Sequence, residues 1–533
     1  MRRWNGWGDT WIDYPLPPLA ARFLEDVLGP GSPPRDVALV DALRAVPPSR
    51  LPTHRLVTTD AEVRLRHACG QSLPDWVALR SARIPAFPDG VAFPASDDEV
   101  MELITFASQV RARVIPYGGG TSVVGHINPI SGDSPVLTID MSRLDGLLAW
   151  DESSQLATFG AGVNGPRLEA RLRELGYRLG HFPQSFELST LGGWVATRSS
   201  GQQSLYYGRI EDLFAGGRLI APGGRLELPA LPASAAGPDL RQLILGCEGR
   251  LGVIIQATLR VSRLPQREEF HALFFPTWSS GIAAVRDMVQ ARLPLSMLRL
   301  SDPTETTTIL ALAGHAWLVG LLERLLRLRG LGPERCMLIF GVTGHQAATQ
   351  ATRQGAIEAA RAHGGAHAGR LLGNQWRKSR FRTPYLRNTL WERGYAVDTL
   401  ETAIRWSEVP ATAEAILRAL RQGLRDVEER VHAFAHLSHV YPDGASIYIT
   451  LIFRLAADPD ETLHRWRLLK TAASDAIVAA GGTISHQHGV GVDHAPYLPA
   501  EKGALGMEAL RALCRTFDPQ GMMNPAKLTM DSA

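Results

Sequence analysis

The chain has 533 residues, enough for about two to four domains, each with its own core. It is 45% hydrophobic and 20% charged, which is the balance of a globular protein and excludes large-scale disorder. The formal charge is only +3. Of the 56 basic residues only Lys378, Lys470, Lys502 and Lys527 are lysines, and the arginines are scattered without a basic block, so no nucleic-acid partner is expected.

Cys69, Cys247, Cys336 and Cys514 are far apart and form no CxxC pair, which argues against a disulfide framework and a cysteine zinc site. The opening MRRWNGWGDTWIDYPLPP lacks the apolar core of a signal peptide. The longest apolar run, 309–322, is too short to span a bilayer. A cytoplasmic protein is expected, with contact to a membrane surface as the alternative to full solubility.

Residues 1–80 mix helical stretches at 20–28 and 36–45 with prolines. From 81 to 265 short β-like runs alternate with helices. VRARVIPYGGG reads as a helix end, a strand and a glycine turn; PVLTID and LATFGAG read as strands; NGPRLEARLRELG has the three-and-four spacing of an amphipathic helix. From 266 to 480 strands such as MLIFGVTG and ASIYITLIF stand between helices such as PATAEAILRALRQGL. The segment 481–533 ends in a helix and a Pro/Gly-rich tail.

Three glycine clusters carry the strongest signal. PYGGGTSVVG at 116–125 has three consecutive glycines, which let backbone N–H groups approach a diphosphate, with Thr121 and Ser122 as hydroxyl donors. It is not a dinucleotide GxGxxG fingerprint, because no acidic residue follows a second strand at the right distance. PQSFELSTLGGWVATRSSG at 183–201 gathers small and hydroxyl residues around Gly192 and Gly193. GCEGRLGVI at 246–254 brackets a tight approach with Gly249 and Gly252, and its Glu248 suits a ribose or an amide. Each alone reads equally as a loop; the three in this order point to a large planar ligand.

These motifs resemble the FAD-binding domain of the vanillyl-alcohol-oxidase and p-cresol-methylhydroxylase superfamily. The resemblance implies an α+β fold: a two-part FAD-binding domain at 81–265, an α+β cap domain at 266–480, a helical segment at 1–80, and a C-terminal segment at 481–533 returning to the flavin. By that resemblance Pro116, Tyr117, Gly118, Gly119, Gly120, Thr121 and Ser122 hold the diphosphate. Gln184, Ser185, Ser189, Thr190, Gly193, Thr197, Arg198, Ser199 and Ser200 line the flavin, as do Glu248, Gly249, Arg250, Leu251, Gly252, Val253 and Ile254. The loop carries no His or Cys before His126, so the FAD is expected to be non-covalent.

Two further segments, HVYPDGASIYITLIF at 439–453 and GGTISHQHGVG at 481–491, divide the superfamily. They resemble the metal-binding GHxGDGNxH and SGEHGIG segments of FAD-linked 2-hydroxyacid dehydrogenases, but Tyr448 and Gln487 stand at two ligand positions. His439 and His488 alone make a poor divalent site, so no metal is expected. The same segments resemble the alkyl-dihydroxyacetonephosphate synthase family more fully, through GASIYITLIF, SHQHGVG, YLRN at 385–388, SMLRLSD at 296–302 and WNGWG at 4–8.

That resemblance implies a redox-neutral exchange of the acyl chain of acyl-dihydroxyacetone phosphate for a long-chain alcohol, through an adduct at flavin N5. Tyr448, His486, His488 and Arg299 would be catalytic and Arg387 would bind the phosphate. His486 and His488, at i and i+2, are expected to face one cavity. The family's middle histidine is Gln487 here, and its YxRD has become YLRN, removing a carboxylate that could orient Arg387. On pattern alone Tyr448 reads rather as a core aromatic and Arg387 as a surface residue; the joint match to one family reverses that reading. The rival function is an FAD-linked 2-hydroxyacid dehydrogenase. Expected partners are lipid-like substrates, a second copy of the chain in a homodimer, and a membrane surface met through 309–329. There Leu321, Leu322, Leu325, Leu326 and Leu328 mix with Arg324, Arg327 and Arg329, a pattern that suits an interfacial helix or an ordinary core-facing one.

Overall fold

The computed structural model describes residues 1–312 and 316–529. Strands β1 (Val57–Thr58), β2 (Gly90–Ala92), β3 (Arg113–Tyr117) and β4 (Val136–Asp140) form one sheet in the order β1-β2-β4-β3, with β4 parallel to β2 and β3. All five residues of β4 are buried, as expected for an inner parallel strand covered on both faces. The crossover helix Asp97–Gln109 starts where the Ser96 side chain accepts from the Glu99 amide. Three acidic residues occupy its first turn, and Val100, Leu103, Ile104 and Ala107 are buried along one face.

A second, antiparallel sheet contains β5 (Leu147–Asp151), β6 (Leu156–Gly160), β8 (Phe214–Ala221), β9 (Gly224–Leu228) and β10 (Val253–Arg260), in the order β5-β6-β10-β8-β9. The short β7 (Tyr177–Arg178) and β11 (Ser262–Arg263) pair separately. The third sheet has β12 (Arg267–Phe275), β13 (Leu295–Ser301), β14 (Cys336–Gly344), β15 (Ala366–His367), β16 (Tyr395–Arg405), β17 (Val431–Leu437) and β18 (Gly444–Arg454). Its order is β15-β12-β14-β13-β17-β18-β16, and every neighbouring pair is antiparallel. Alternation along β12 splits its apolar residues between two cores. Leu273 and Phe275 join the helices Trp278–Gln290 and Val409–Gln422, while Phe270, Ala272 and Phe274 face Leu326 and Trp376.

Both chain ends return to this framework. Met523 bridges Val114 of β3, and the Asn524 side chain donates to the carbonyls of His126 and Glu248. The helix Pro18–Leu28 packs on the helix Pro303–Leu312 and on β17. The apolar run at 309–322 falls partly on residues outside the described ones; the described helices there are Pro303–Leu312 and Ala316–Leu328. Among the described residues no helix is long and apolar enough to cross a membrane.

Candidate active site

One cavity of about 740 Å³ runs between the two smaller sheets and the seven-stranded one. The glycine loop leaves the carboxyl end of β3 and forms part of its wall. Glycine is required there by close packing. A Cβ on Gly119 would lie 2.0 Å from the Leu188 carbonyl oxygen, and Gly120 has φ +67° with its Cβ position 2.1 Å from the Tyr117 hydroxyl. The first two glycine clusters are thus pressed together.

Pro116, Tyr117, Gly118, Gly119, Gly120, Thr121 and Ser122 line the cavity, together with Gln184, Ser185, Ser189, Thr190, Gly193, Thr197, Ser199 and Ser200. Glu248, Gly249, Gly252, Val253 and Ile254 close the same end. Three expected contacts fall outside. Arg198 turns to Glu211 and Gln242, Arg250 donates to the Met523 carbonyl, and Leu251 belongs to the core under the five-stranded sheet. Glu248 lines the cavity, but its carboxylate is already taken by the amides of Val490 and Gly491, so it anchors the turn after His488 and is not free for a ribose. Ser122 is likewise spent on His126. Buried, unpartnered polar atoms remain at Thr190 Oγ1 and Ser200 Oγ, whereas His126 Nε2 lies 3.1 Å from the Glu248 carboxylate. A glycine wall with unpaired donors fits a large polar-edged planar group such as FAD.

The far wall is built by strand register. Glu401 of β16 and His436 of β17 both pair with Tyr448 of β18, so the three form one row across the sheet. Tyr448 stacks on His436, with centroids 4.8 Å apart at 16°, and meets the edge of His488 at 5.7 Å. Burial pushes the Tyr448 hydroxyl well above its ordinary range, and the Glu401 and Asp398 charges add to this. Burial also drives His488 down to about 4, so it is a neutral imidazole at pH 7. Arg299 of β13 donates to Glu305 at 2.7 Å and lies 3.2 Å from His436 Nδ1. Burial would raise Glu305, but the charges of Arg299 and His436 hold it at about 2.

Of the expected catalytic residues, Tyr448, His488 and Arg299 reach the cavity, and Gln487 does too. His486 does not line it. Its Nε2 bonds the Tyr441 hydroxyl at 2.7 Å and its Nδ1 faces Glu401 at 3.1 Å. The i, i+2 rule holds for strands, whereas 485–489 is a turn, so neighbouring side chains diverge differently. His181 and His494 are buried and bonded to Ser199 and to the Gly489 carbonyl.

Arg387 lines the cavity, donates to the Gln71 carbonyl and lies 4.4 Å above Trp76. Burial lowers it to about 10, which leaves it charged. Asn388 does not stand in for a carboxylate beside it. It turns away and exchanges two hydrogen bonds with the backbone of Trp7, locking the WNGWG turn to the helix Thr383–Trp391. Two cations missed in the sequence, Arg380 and Arg382, also line the cavity. Arg380 packs over Phe182 and Phe381, and Arg382 packs over Tyr14. Their signal was the short basic run RKSRFR at 377–382, an exception to the otherwise scattered arginines.

An apolar branch leads away between the helices Pro18–Leu28 and Pro303–Leu312, lined by Leu16, Ala20, Phe23, Leu24, Ile309, Leu310, Leu312, Leu390, Val397, Phe434 and Ile452. The wall of this branch comes partly from 1–80, which composition had marked only as helical.

The two-sheet unit, the seven-stranded cap and the glycine-walled cavity define an FAD-dependent enzyme with a p-cresol-methylhydroxylase-type flavin domain. The FAD binding domain family matches residues 88–228, and the family FAD linked oxidases, C-terminal domain, matches 264–528. Alkyldihydroxyacetonephosphate synthase of Caenorhabditis elegans is 30% identical over 88% of this chain and 81% of its own. The synthase of Dictyostelium discoideum is 29% identical over 99% and 93%. A solved alkyldihydroxyacetonephosphate synthase superposes with a TM-score of 0.84 at 27% identity, covering 99% of each chain. The chain belongs to the alkyldihydroxyacetonephosphate synthase family. A p-cresol methylhydroxylase, at 13% identity and a TM-score of 0.66, shares the fold alone.

Proposed function

We propose that the chain converts an acyl-dihydroxyacetone phosphate and a long-chain alcohol into the corresponding ether and a free fatty acid. The carrying observation is the single cavity that joins a glycine wall, the Tyr448–His488 contact, the side chains of Arg380, Arg382 and Arg387, and an apolar branch. Bound without a covalent tether, FAD would supply the nucleophilic ring nitrogen of a substitution that is neutral overall. Arg387, with Arg380 and Arg382, suits a phosphate, since a guanidinium presents a fixed fork of donors. The apolar branch receives the alkyl chains and excludes water. Tyr448 moves the proton at the reacting carbon and His488 accepts it, because a tyrosine is a weak base without such a partner. The ester C–O bond breaks, the alcohol's C–O bond forms, and the alcohol's proton leaves with the carboxylic acid.

The test is anaerobic incubation with palmitoyl-dihydroxyacetone phosphate and hexadecanol, followed by mass analysis. Ether and palmitate in equal amounts are expected, with the flavin spectrum oxidised at the end. No ether, together with flavin bleaching by a 2-hydroxy acid, overturns this reading in favour of the dehydrogenase. Acid precipitation should release intact FAD into the supernatant.

A lipid substrate also needs a route to the cavity. On the helix Ala316–Leu328, Leu322 and Leu326 pack inward, while Trp317, Leu321, Leu325 and Leu328 are exposed beside Arg324 and Arg327. We propose that this outer stripe lies on an anionic membrane surface.

A further inference from the structure

At the edge of the cavity, where His439 is part of the lining, lies a cluster that this chemistry does not use. Glu401 is 1% exposed, and neither carboxylate oxygen has a hydrogen bond. Its Oε1 is 3.1 Å from His486 Nδ1, at an angle that leaves that nitrogen without a hydrogen bond as well. The His439 ring lies 4.9 Å from the His486 ring and 25° off parallel. The three residues, all buried, each offer one donor atom within 4.8 Å of the others. Hydroxyl groups brace both rings from outside: Tyr441 on His486 Nε2 at 2.7 Å and Ser204 on His439 Nδ1 at 3.3 Å.

A carboxylate buried without hydrogen bonds is costly unless a positive charge meets it. A cation bound tetrahedrally at about 2.0–2.2 Å from each donor holds neighbouring donors roughly 3.3–3.6 Å apart, close to the 3.1 Å between Glu401 and His486, and needs no hydrogen-bond angle. Two imidazoles and one carboxylate suit zinc and its neighbours, whereas calcium and magnesium take mainly oxygen ligands. Hydroxyl bonds to the outer ring nitrogens are the supports that orient such ligands.

We propose that Glu401, His439 and His486 form a binding site for one divalent transition-metal ion of the zinc type. The ion joins β16, the β17–β18 connection and the turn at 485–489. It thereby fixes the strand register opposite Tyr448 and the turn that carries His488. The metal-free expectation rested on Tyr448 and Gln487 standing at two ligand positions, which left only His439 and His488; the present cluster keeps His439 and adds Glu401 and His486. The carboxylate arrives from a strand without a motif. The inference does not depend on the identity of the organic substrate.

The test uses the full-length FAD-loaded protein, purified without chelator and analysed for metals. About one zinc per chain is expected, removable with dipicolinate and restored by zinc chloride with a rise in melting temperature. Cobalt taken up in its place should give a ligand-field band beyond the flavin's own absorption, a readout that needs no variant. Glu401→Gln and His486→Asn should each weaken uptake by about tenfold or more while FAD content stays the same. The proposal is overturned by protein that arrives without zinc and takes up neither zinc nor cobalt saturably at micromolar concentration. Uptake undiminished in folded Glu401→Gln and His486→Asn overturns it equally.

Discussion

At the scale of single residues, the proposed chemistry turns on a hydroxyl that burial keeps protonated and an imidazole that burial keeps neutral. Tyr448→Phe retains the ring stacked on His436 and loses only the hydroxyl. Ether formation should fall by roughly 10²–10⁴-fold with FAD binding unchanged. His488→Ala should be nearly as damaging, and the double variant little worse than the worse single one, because residues acting as a unit are non-additive. Near-normal turnover by Tyr448→Phe removes the proton path. Gln487→His, which restores the family residue, should keep activity. Tyr448, His488, Arg299 and Arg387 were legible because each sits in a motif with fixed spacing. Glu401 and His436 were not, since only the β16–β18–β17 register brings them to Tyr448. Glu248 was expected to meet a ribose or an amide, and two backbone amides take it. Nothing in GCEGRLGVI shows that the amides of a turn 242 residues later will occupy the carboxylate.

Elements set where these side chains meet. Helix and strand periodicity located several segments, including Gly165–Glu174 with its Asn164 cap and the two β strands that flank the glycine loop. Pairing over long separations was beyond that signal, so the cap's seven-strand order and the partner of WNGWG emerged only in three dimensions. Asn388 illustrates this: it looked like a lost carboxylate and is a clasp on Trp7. Asn388→Ala leaves a buried amide and a carbonyl unsatisfied and should destabilise the protein by about 1–3 kcal/mol. Differential scanning fluorimetry would show it as a lower melting temperature, and an unchanged melting temperature removes the clasp. The helix Ala316–Leu328 packs one face on the core and exposes the other, the face proposed to meet a membrane. Trp317→Glu/Leu321→Glu should therefore reduce flotation with anionic liposomes at unchanged stability. Leu326→Glu should instead unfold the local core, because Leu326 is 3% exposed. Equal flotation of the wild type and the outer-face variant would end the membrane proposal.

For the molecule as a whole, the two-sheet flavin unit and the cap enclose histidines whose protonation is coupled to folding. Burial, with Arg209 adding to it, lowers His181 to about 3; burial, with Arg421 adding to it, lowers His432 to about 4. Both lie below the unfolded value of about 6.5. Between those limits the unfolded chain binds protons that the folded chain refuses, so these two groups make stability rise with pH and fall as pH drops through about 6.5. From pH 7 to pH 5 each should contribute a loss on the order of 2 kcal/mol. Asp302 and Asp493, raised by burial to about 7 and about 6, act in the opposite direction. The wild-type slope is therefore a sum, and the informative quantity is a difference. His432→Gln can keep a bond to Thr308, and His181→Asn can keep one to Ser199. Neither new side chain titrates, so the double variant should lose less melting temperature than the wild type between pH 7 and pH 5. Glu305 does not confuse this window, since its carboxyl titrates near 2 when folded. Identical pH dependence in the wild type and the folded double variant would show that these buried imidazoles do not govern acid stability.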